Sequence, residues 1–268
     1  MSDDARALYI DLVKKSLTCS LYEGYDGNVF RPRGRWRRAL VKRLVPGDVR
    51  LIRRTPDERR VEGRDWPSLA LTMVGVKRLD NLQFCVETVL KDGIPGDFIE
   101  TGIWRGGAVI LMRAILKAHG VTDRVVYGAD SFEGLPKPDA GSYPADSGDR
   151  HWTYDELAVS LEQVSANVDR YGLLDDQVRF LKGWFKDTLP RAPIERLAVA
   201  RLDGDMYEST MQALEVLYPK LQPGGFLIVD DYGAVEGCKR AIEDYRGRSG
   251  ITEALVPIDW AGVYWRKR

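Results

Sequence analysis

Asp203, Asp230 and Asp231 are the residues of this chain with the most chemistry to offer. Asp203 lies in Arg201-Leu-Asp-Gly-Asp205, and the other two close Leu227-Ile-Val-Asp-Asp231. Each acidic group directly follows a short apolar run. Such runs read as buried parallel strands, and ligands bind beyond the carboxyl ends of those strands. Three carboxylates gathered there repel one another and resist ionisation unless a cation joins them. Oxygen ligands suit a hard divalent ion, so the pattern points to a Mg²⁺-type site. Asp205 stays open between two roles. It neighbours the other acids, and it also stands where an aspartate caps the helix that begins with Met206-Tyr-Glu-Ser-Thr210.

Composition narrows the classes. The 268 residues fit one large α/β domain or a domain with an extension, and 44% hydrophobic content supplies a full core. Forty basic residues balance forty acidic ones, which argues against a nucleic-acid binder. The three cysteines, Cys19, Cys85 and Cys238, have no disulfide or zinc spacing and suit a reducing cytoplasm. Two histidines, His119 and His151, all but exclude a histidine-based metal site. The start, Met-Ser-Asp-Asp-Ala, lacks an apolar signal core, and no run suits a membrane span. The expectation is a cytoplasmic protein that binds neither membrane nor nucleic acid.

The elements that must position the acids follow from periodicity. Helical patterns cover 5–25, 67–91, 106–119, 153–171, 207–220 and 235–247. Strands are expected at 97–101, 124–129, 177–182, 197–202 and 225–229, with a final, antiparallel pair at 252–257 and 262–266. Alternation of strand and helix predicts a doubly wound, mainly parallel sheet. Residues 134–150 are too rich in Gly, Pro and Asp for regular structure, and a loop of that length is expected to serve function. Residues 1–66 read as an N-terminal helical and basic extension and 67–268 as the catalytic domain. Within the extension, Arg31, Arg33, Arg35, Arg37, Arg38, Lys42, Arg43, Arg50, Arg53 and Arg54 make a dense basic segment. It reads as a solvated arm, or as a patch for an acidic partner, a membrane surface or a second subunit.

After the first strand comes Glu100-Thr-Gly-Ile-Trp-Arg-Gly-Gly107, which is not the Gly-x-Gly-x-x-Gly of dinucleotide binders. An acid at its head repels a pyrophosphate but holds the ammonium of an amino acid, which favours S-adenosylmethionine over NAD. A plain strand-to-helix turn is the other reading. Asp130 and Ser131 end the second strand, where an acid bonds ribose hydroxyls or caps a helix. Gly183, Trp184 and Phe185 end the third, where aromatic faces hold a purine or simply pack in the core.

These motifs carry a resemblance. Thr72-Met-Val-Gly-Val-Lys-Arg-Leu-Asp-Asn-Leu-Gln83, Phe98 to Gly107, Asp130-Ser-Phe-Glu-Gly-Leu-Pro136, Lys182-Gly-Trp-Phe-Lys-Asp187, Asp203-Gly-Asp-Met-Tyr-Glu-Ser209, Val229-Asp-Asp-Tyr232 and Gly262-Val-Tyr-Trp265 occur in order. Together they resemble the macrocin-type sugar O-methyltransferases, which act on macrolides and on aminocoumarins such as novobiocin, with the novobiocin-pathway branch nearest. The resemblance implies a class I S-adenosylmethionine-dependent methyltransferase fold, Rossmann-like with seven strands, and Mg²⁺. It implies that Asp203, Asp230 and Asp231 hold the metal and that Asp203 is also the general base. It places the cofactor on Thr72 and Met73, on Glu100, Thr101, Gly102, Trp104, Gly106 and Gly107 of the turn, on Asp130 and Ser131, and on Gly183, Trp184 and Phe185. It further implies methyl transfer to a deoxysugar hydroxyl of a glycosylated natural product, a lid drawn from the extension and from 134–150, and a homodimer. A metal-dependent catechol or phenolic O-methyltransferase is the alternative. The arginine-rich segment belongs to no shared motif.

Overall fold

The computed structural model describes residues 2–22, 26–29, 34–47, 49, 51–54 and 56–268. Helix α1, Asp3–Leu17, opens on Ser2, whose side chain accepts from the Ala5 N–H. It stops well short of the predicted residue 25. Thr18 turns its hydroxyl back onto the Lys14 carbonyl at 2.9 Å, and Cys19 takes a left-handed φ of 55°. Strand β1, Gly27–Val29, pairs antiparallel with β2, Ile52–Arg54, on either side of α2, Arg35–Leu44. The short helix α3 covers Asp57–Val61. The basic segment thus contains a helix and half of a hairpin, with Arg35, Arg37, Arg43, Arg53 and Arg54 exposed. Arg31, Arg33 and Arg50 lie outside the described residues.

The rest is the doubly wound sheet that alternation predicts. Chain order runs α4 (Val76–Lys91), β3 (Asp97–Thr101), α5 (Gly107–His119), β4 (Val126–Asp130), α6 (Leu161–Arg170), β5 (Val178–Lys182), α7 (Phe185–Thr188), β6 (Leu197–Leu202), α8 (Tyr207–Leu217), β7 (Leu221–Val229), α9 (Glu236–Arg248), β8 (Val256–Pro257) and β9 (Val263–Arg266). The seven strands lie in the order β5-β4-β3-β6-β7-β9-β8, with β9 antiparallel to both neighbours and β3 to β7 parallel.

Besides α1, helices α4 and α6 are shorter than their periodicity predicts. Residues 67–75 stay non-helical because the Thr72 hydroxyl accepts from the Val74 N–H at 3.0 Å and helix α4 starts only after Gly75. Ahead of α6, two tight turns at His151–Thr153 and Asp155–Leu157 replace the expected helix, and Ser160 caps α6 through the Gln163 N–H.

Side chains alternate across the strands and build a core on each face. Phe98, Phe226 and Ile228 point into the layer of α4, α5 and α6, while Ile99, Leu227 and Val229 point into the layer of α8 and α9. Helix α1 joins the first layer through Ile10, Val13 and Leu17, each at most 5% exposed. Helix α1 therefore shares the core of the sheet. The described residues before 67 that reach the site are Gly63, Asp65 and Trp66.

Candidate active site

Strand β3 pairs with β4 on one side and β6 on the other, so the chain reverses its direction of winding there. A crevice opens beyond the carboxyl ends of such strands. Here it holds two cavities that meet. The larger, about 350 Å³, is bounded by the glycine turn after β3, by Asp130 and Ser131, by Gly183 to Lys186, and by Gly134 to Lys137 from the long loop. The smaller, about 160 Å³, contains Glu100, Asp203, Asp230 and Asp231 and is walled by Trp66, Trp104 and Trp260. Met73, Trp104, Leu157, Asp203 and Asp205 line both.

The turn after β3 fits only a particular backbone. Gly102 has φ 80°, and a Cβ there would collide with the Asp203 carbonyl, so the two strand ends touch through main chain. Gly106, φ 87°, caps α5 in the left-handed region, with the Val164 side chain 3.0 Å from where its Cβ would stand. Asp130 stitches this turn in place: one oxygen accepts from the Ile103 N–H at 2.8 Å, the other from the Phe132 N–H at 2.7 Å. Trp104, itself at φ 46°, donates its indole N–H to the Glu156 carbonyl at 2.8 Å, and Arg105 lies over its ring.

The acids do converge. One oxygen from each of Asp203, Asp230 and Asp231 lies within 4.8 Å of the others. Two buried arginines are set among them. Arg201 lies abreast of Glu100 in the β3–β6 register. It donates to Glu100 at 2.5 Å, to Asp203 at 2.7 Å and to Asp230. Arg78 from α4 donates to the other Asp230 oxygen and, at 2.9 Å, to Asp259. Six carboxyl groups, Glu100, Asp203, Asp205, Asp230, Asp231 and Asp259, thus face two guanidinium groups. The surplus shows in the titration of Glu100, Asp203, Asp205 and Asp231. Burial, opposed by Arg201, pushes Glu100 up to about 8. Burial and the Asp230 charge push Asp203 up to about 6, even with Arg201 attached. Asp205 is raised to about 7 by burial and by Asp203. Asp231 is raised well above the usual carboxylate range by burial, then by Asp205, Asp203 and Asp230. A cluster of oxygen donors that cannot all ionise together fits a hard divalent cation.

Of the residues expected to hold a cofactor, Met73, Gly102, Trp104, Asp130, Ser131, Gly183, Trp184 and Phe185 line the larger cavity. Thr72, Glu100 and Gly107 line the acidic one instead. Thr101 is fully buried at the end of β3 and Gly106 is buried at the start of α5. Glu100 keeps one buried oxygen without a hydrogen-bond partner.

The helix-cap role for Asp205 does not hold. Asp205 sits at φ 57° and donates its N–H to Asp231 at 3.1 Å. The first N–H groups of α8, on Tyr207 and Glu208, instead donate to the two oxygens of Asp146 at 2.7 and 2.9 Å. Asp146, Arg78, Arg201 and His151 were not among the expected site residues. The signal for Arg201 was a charged residue inside an otherwise apolar strand.

The macrocin-O-methyltransferase (TylF) family model matches residues 6–267. The chain is 57% identical over 267 residues, 99% of this chain and 95% of the relative, to a protein of Streptomyces olivaceus. That protein is described as 8-demethyl-8-(2,3-dimethoxy-alpha-L-rhamnosyl)-tetracenomycin-C 4'-O-methyltransferase. It is 54% identical over 215 residues, 79% of this chain and 81% of the relative, to demethyldecarbamoylnovobiocin O-methyltransferase of Streptomyces niveus. Its fold matches the solved structure of the O-methyltransferase NovP with a TM-score of 0.85 at 47% identity, covering 98% of this chain and 99% of that one. The architecture is that of the class I S-adenosylmethionine-dependent methyltransferases. The chain is an O-methyltransferase and belongs to the macrocin-O-methyltransferase family.

Proposed function

We propose that this enzyme moves a methyl group from S-adenosylmethionine to a deoxysugar hydroxyl of a glycosylated natural product in antibiotic biosynthesis, with Mg²⁺ bound. The observation that carries the reading is the junction of the two cavities at Asp203. A methyl donor in the larger cavity and a hydroxyl in the acidic one meet there. The names of the relatives, all of which methylate sugars or sugar-bearing antibiotics, supply the acceptor class.

The larger cavity offers Trp184 and Phe185 to a purine and Asp130 to ribose hydroxyls. Glu100, with one oxygen unpartnered, would hold the amino-acid end, and Thr72, Met73, Gly102, Trp104, Gly107, Ser131 and Gly183 would frame the cofactor, with the buried Thr101 and Gly106 behind them. Asp203, Asp230 and Asp231 would hold the metal ion. When bound, such an ion supplies positive charge that makes a sugar hydroxyl more acidic at neutral pH. Asp203 accepts the hydroxyl's proton as the oxygen attacks the methyl carbon in line with the departing sulfur. Trp66, Trp104 and Trp260 shape the acceptor side and exclude water. Localisation in the cytoplasm and assembly as a homodimer complete the reading, the second checked by light scattering.

The direct test is incubation with S-adenosylmethionine, Mg²⁺ and a panel of desmethyl glycosides and catechols, read by mass spectrometry. Methylation of a glycoside that stops on chelation is expected. Methylation of catechols alone would replace the acceptor assignment, and full turnover in chelator would remove the metal.

A further inference from the structure

His151 and Asp149 form a side-chain pair that the methyl-transfer scheme leaves unused. His151 Nδ1 lies 2.6 Å from an Asp149 oxygen, and the His151 N–H donates to the other oxygen at 2.8 Å. The ring also meets Tyr154 edge-on with centroids 5.7 Å apart, so the imidazole is held on two sides. A carboxylate on Nδ1 fixes the tautomer that leaves Nε2 as the proton acceptor. Nε2 has no hydrogen-bond partner among the described residues, and His151 lines the acidic cavity together with Asp203, Asp205 and Asp231. The other charged groups on that cavity are Asp65, Arg78, Glu100 and Asp230.

One Asp203 oxygen is already taken by Arg201, and His151 lines the same cavity as Asp203. We propose that His151, oriented by Asp149, is a further catalytic residue: the acceptor's proton, received at Asp203, ends on Nε2 of His151. The hydroxyl oxygen's lone pair forms the new bond to the methyl carbon. The carbon–sulfur bond breaks with its pair returning to sulfur, and the proton leaves the imidazole for solvent.

The inference rests on the methyl-transfer reading, and its test separates the two. Turnover by the unaltered enzyme on the acceptor panel tests that reading. His151→Ala, measured against the unaltered enzyme on whichever hydroxyl acceptor is methylated, tests the pair. The expected result is a fall in kcat of about 100-fold, within the range for a lost acid–base group. The acceptor KM, Mn²⁺ binding and S-adenosylhomocysteine binding stay close to those of the unaltered enzyme, and added imidazole restores turnover. Asp149→Asn, which keeps the ring but loses the tautomer control, falls in the same direction by a smaller factor. A kcat of His151→Ala close to that of the unaltered enzyme overturns the proposal. So does a loss confined to KM, which marks a sugar contact, or a kcat loss that imidazole does not restore.

Discussion

Asp146 caps a helix to which it is joined only through space: its two carboxylate oxygens take the N–H groups of Tyr207 and Glu208 at the start of α8. The loop that borders the larger cavity is thereby fastened to the helix that follows Asp203 and Asp205. Asp146→Ala removes both bonds, and the fold is expected to lose about 1–2 kcal/mol, the upper range for a lost cap. Urea unfolding measures this, and an unchanged midpoint would show that the helix finds its cap elsewhere.

Arg201 is 1% exposed and holds Glu100, Asp203 and Asp230 at once. Arg201→Met leaves the buried Glu100 and Asp230 and the half-buried Asp203 without their shared partner. Breaking one side of a buried ion pair costs about 3–5 kcal/mol, so this variant is expected to unfold at much lower denaturant than the parent. Stability within 1 kcal/mol or so of the parent would mean that the acids rearrange freely.

The same acids set a pH dependence for the metal-free protein. Glu100, Asp203 and Asp205 titrate near 8, 6 and 7 in the folded chain, against about 4 when unfolded. Between these limits the folded state binds more protons than the unfolded one. Their contribution to stability is therefore complete below about pH 4 and is lost as the pH rises through 6 to 8. Thermal melts in chelator should show Tm falling over that range, and Mg²⁺ should recover more of it at pH 8 than at pH 6, because ligands must be deprotonated. A metal-free Tm that climbs with pH would contradict the raised values.

Gly102→Ala tests the contact between the two strand ends. A left-handed residue with a Cβ costs about 1–2 kcal/mol, and here that Cβ also meets the Asp203 carbonyl. Displacing Asp203 should reduce turnover far more than S-adenosylhomocysteine binding, as calorimetry beside the activity assay would show. Equal losses in both would place Gly102 in cofactor binding alone.

Much of the site was legible because parallel strands are apolar runs and the residue after each run must lie at the crevice. That logic located Asp130, Gly183, Asp203, Asp230 and Asp231. It said nothing of Arg201 as counter-charge, because its pairing with Glu100 depends on β6 lying beside β3, a matter of strand order and not of spacing. Asp205 misled for a related reason. A cap was one of its two expected roles, as the nearest acid in sequence, whereas Asp146 arrives from another loop. Helical periodicity also overran the real ends of α1 and α6, where Thr18 and the turns at His151–Leu157 redirect the backbone.

Arg78 and Arg201 have a consequence for the life of the protein before it ever turns over. A chain whose acidic chamber carries part of its own counter-charge can fold without waiting for an ion, unlike small domains that are shapeless until metal arrives. On the proposed metal-dependent reading, folding and loading with an ion would then be separate events.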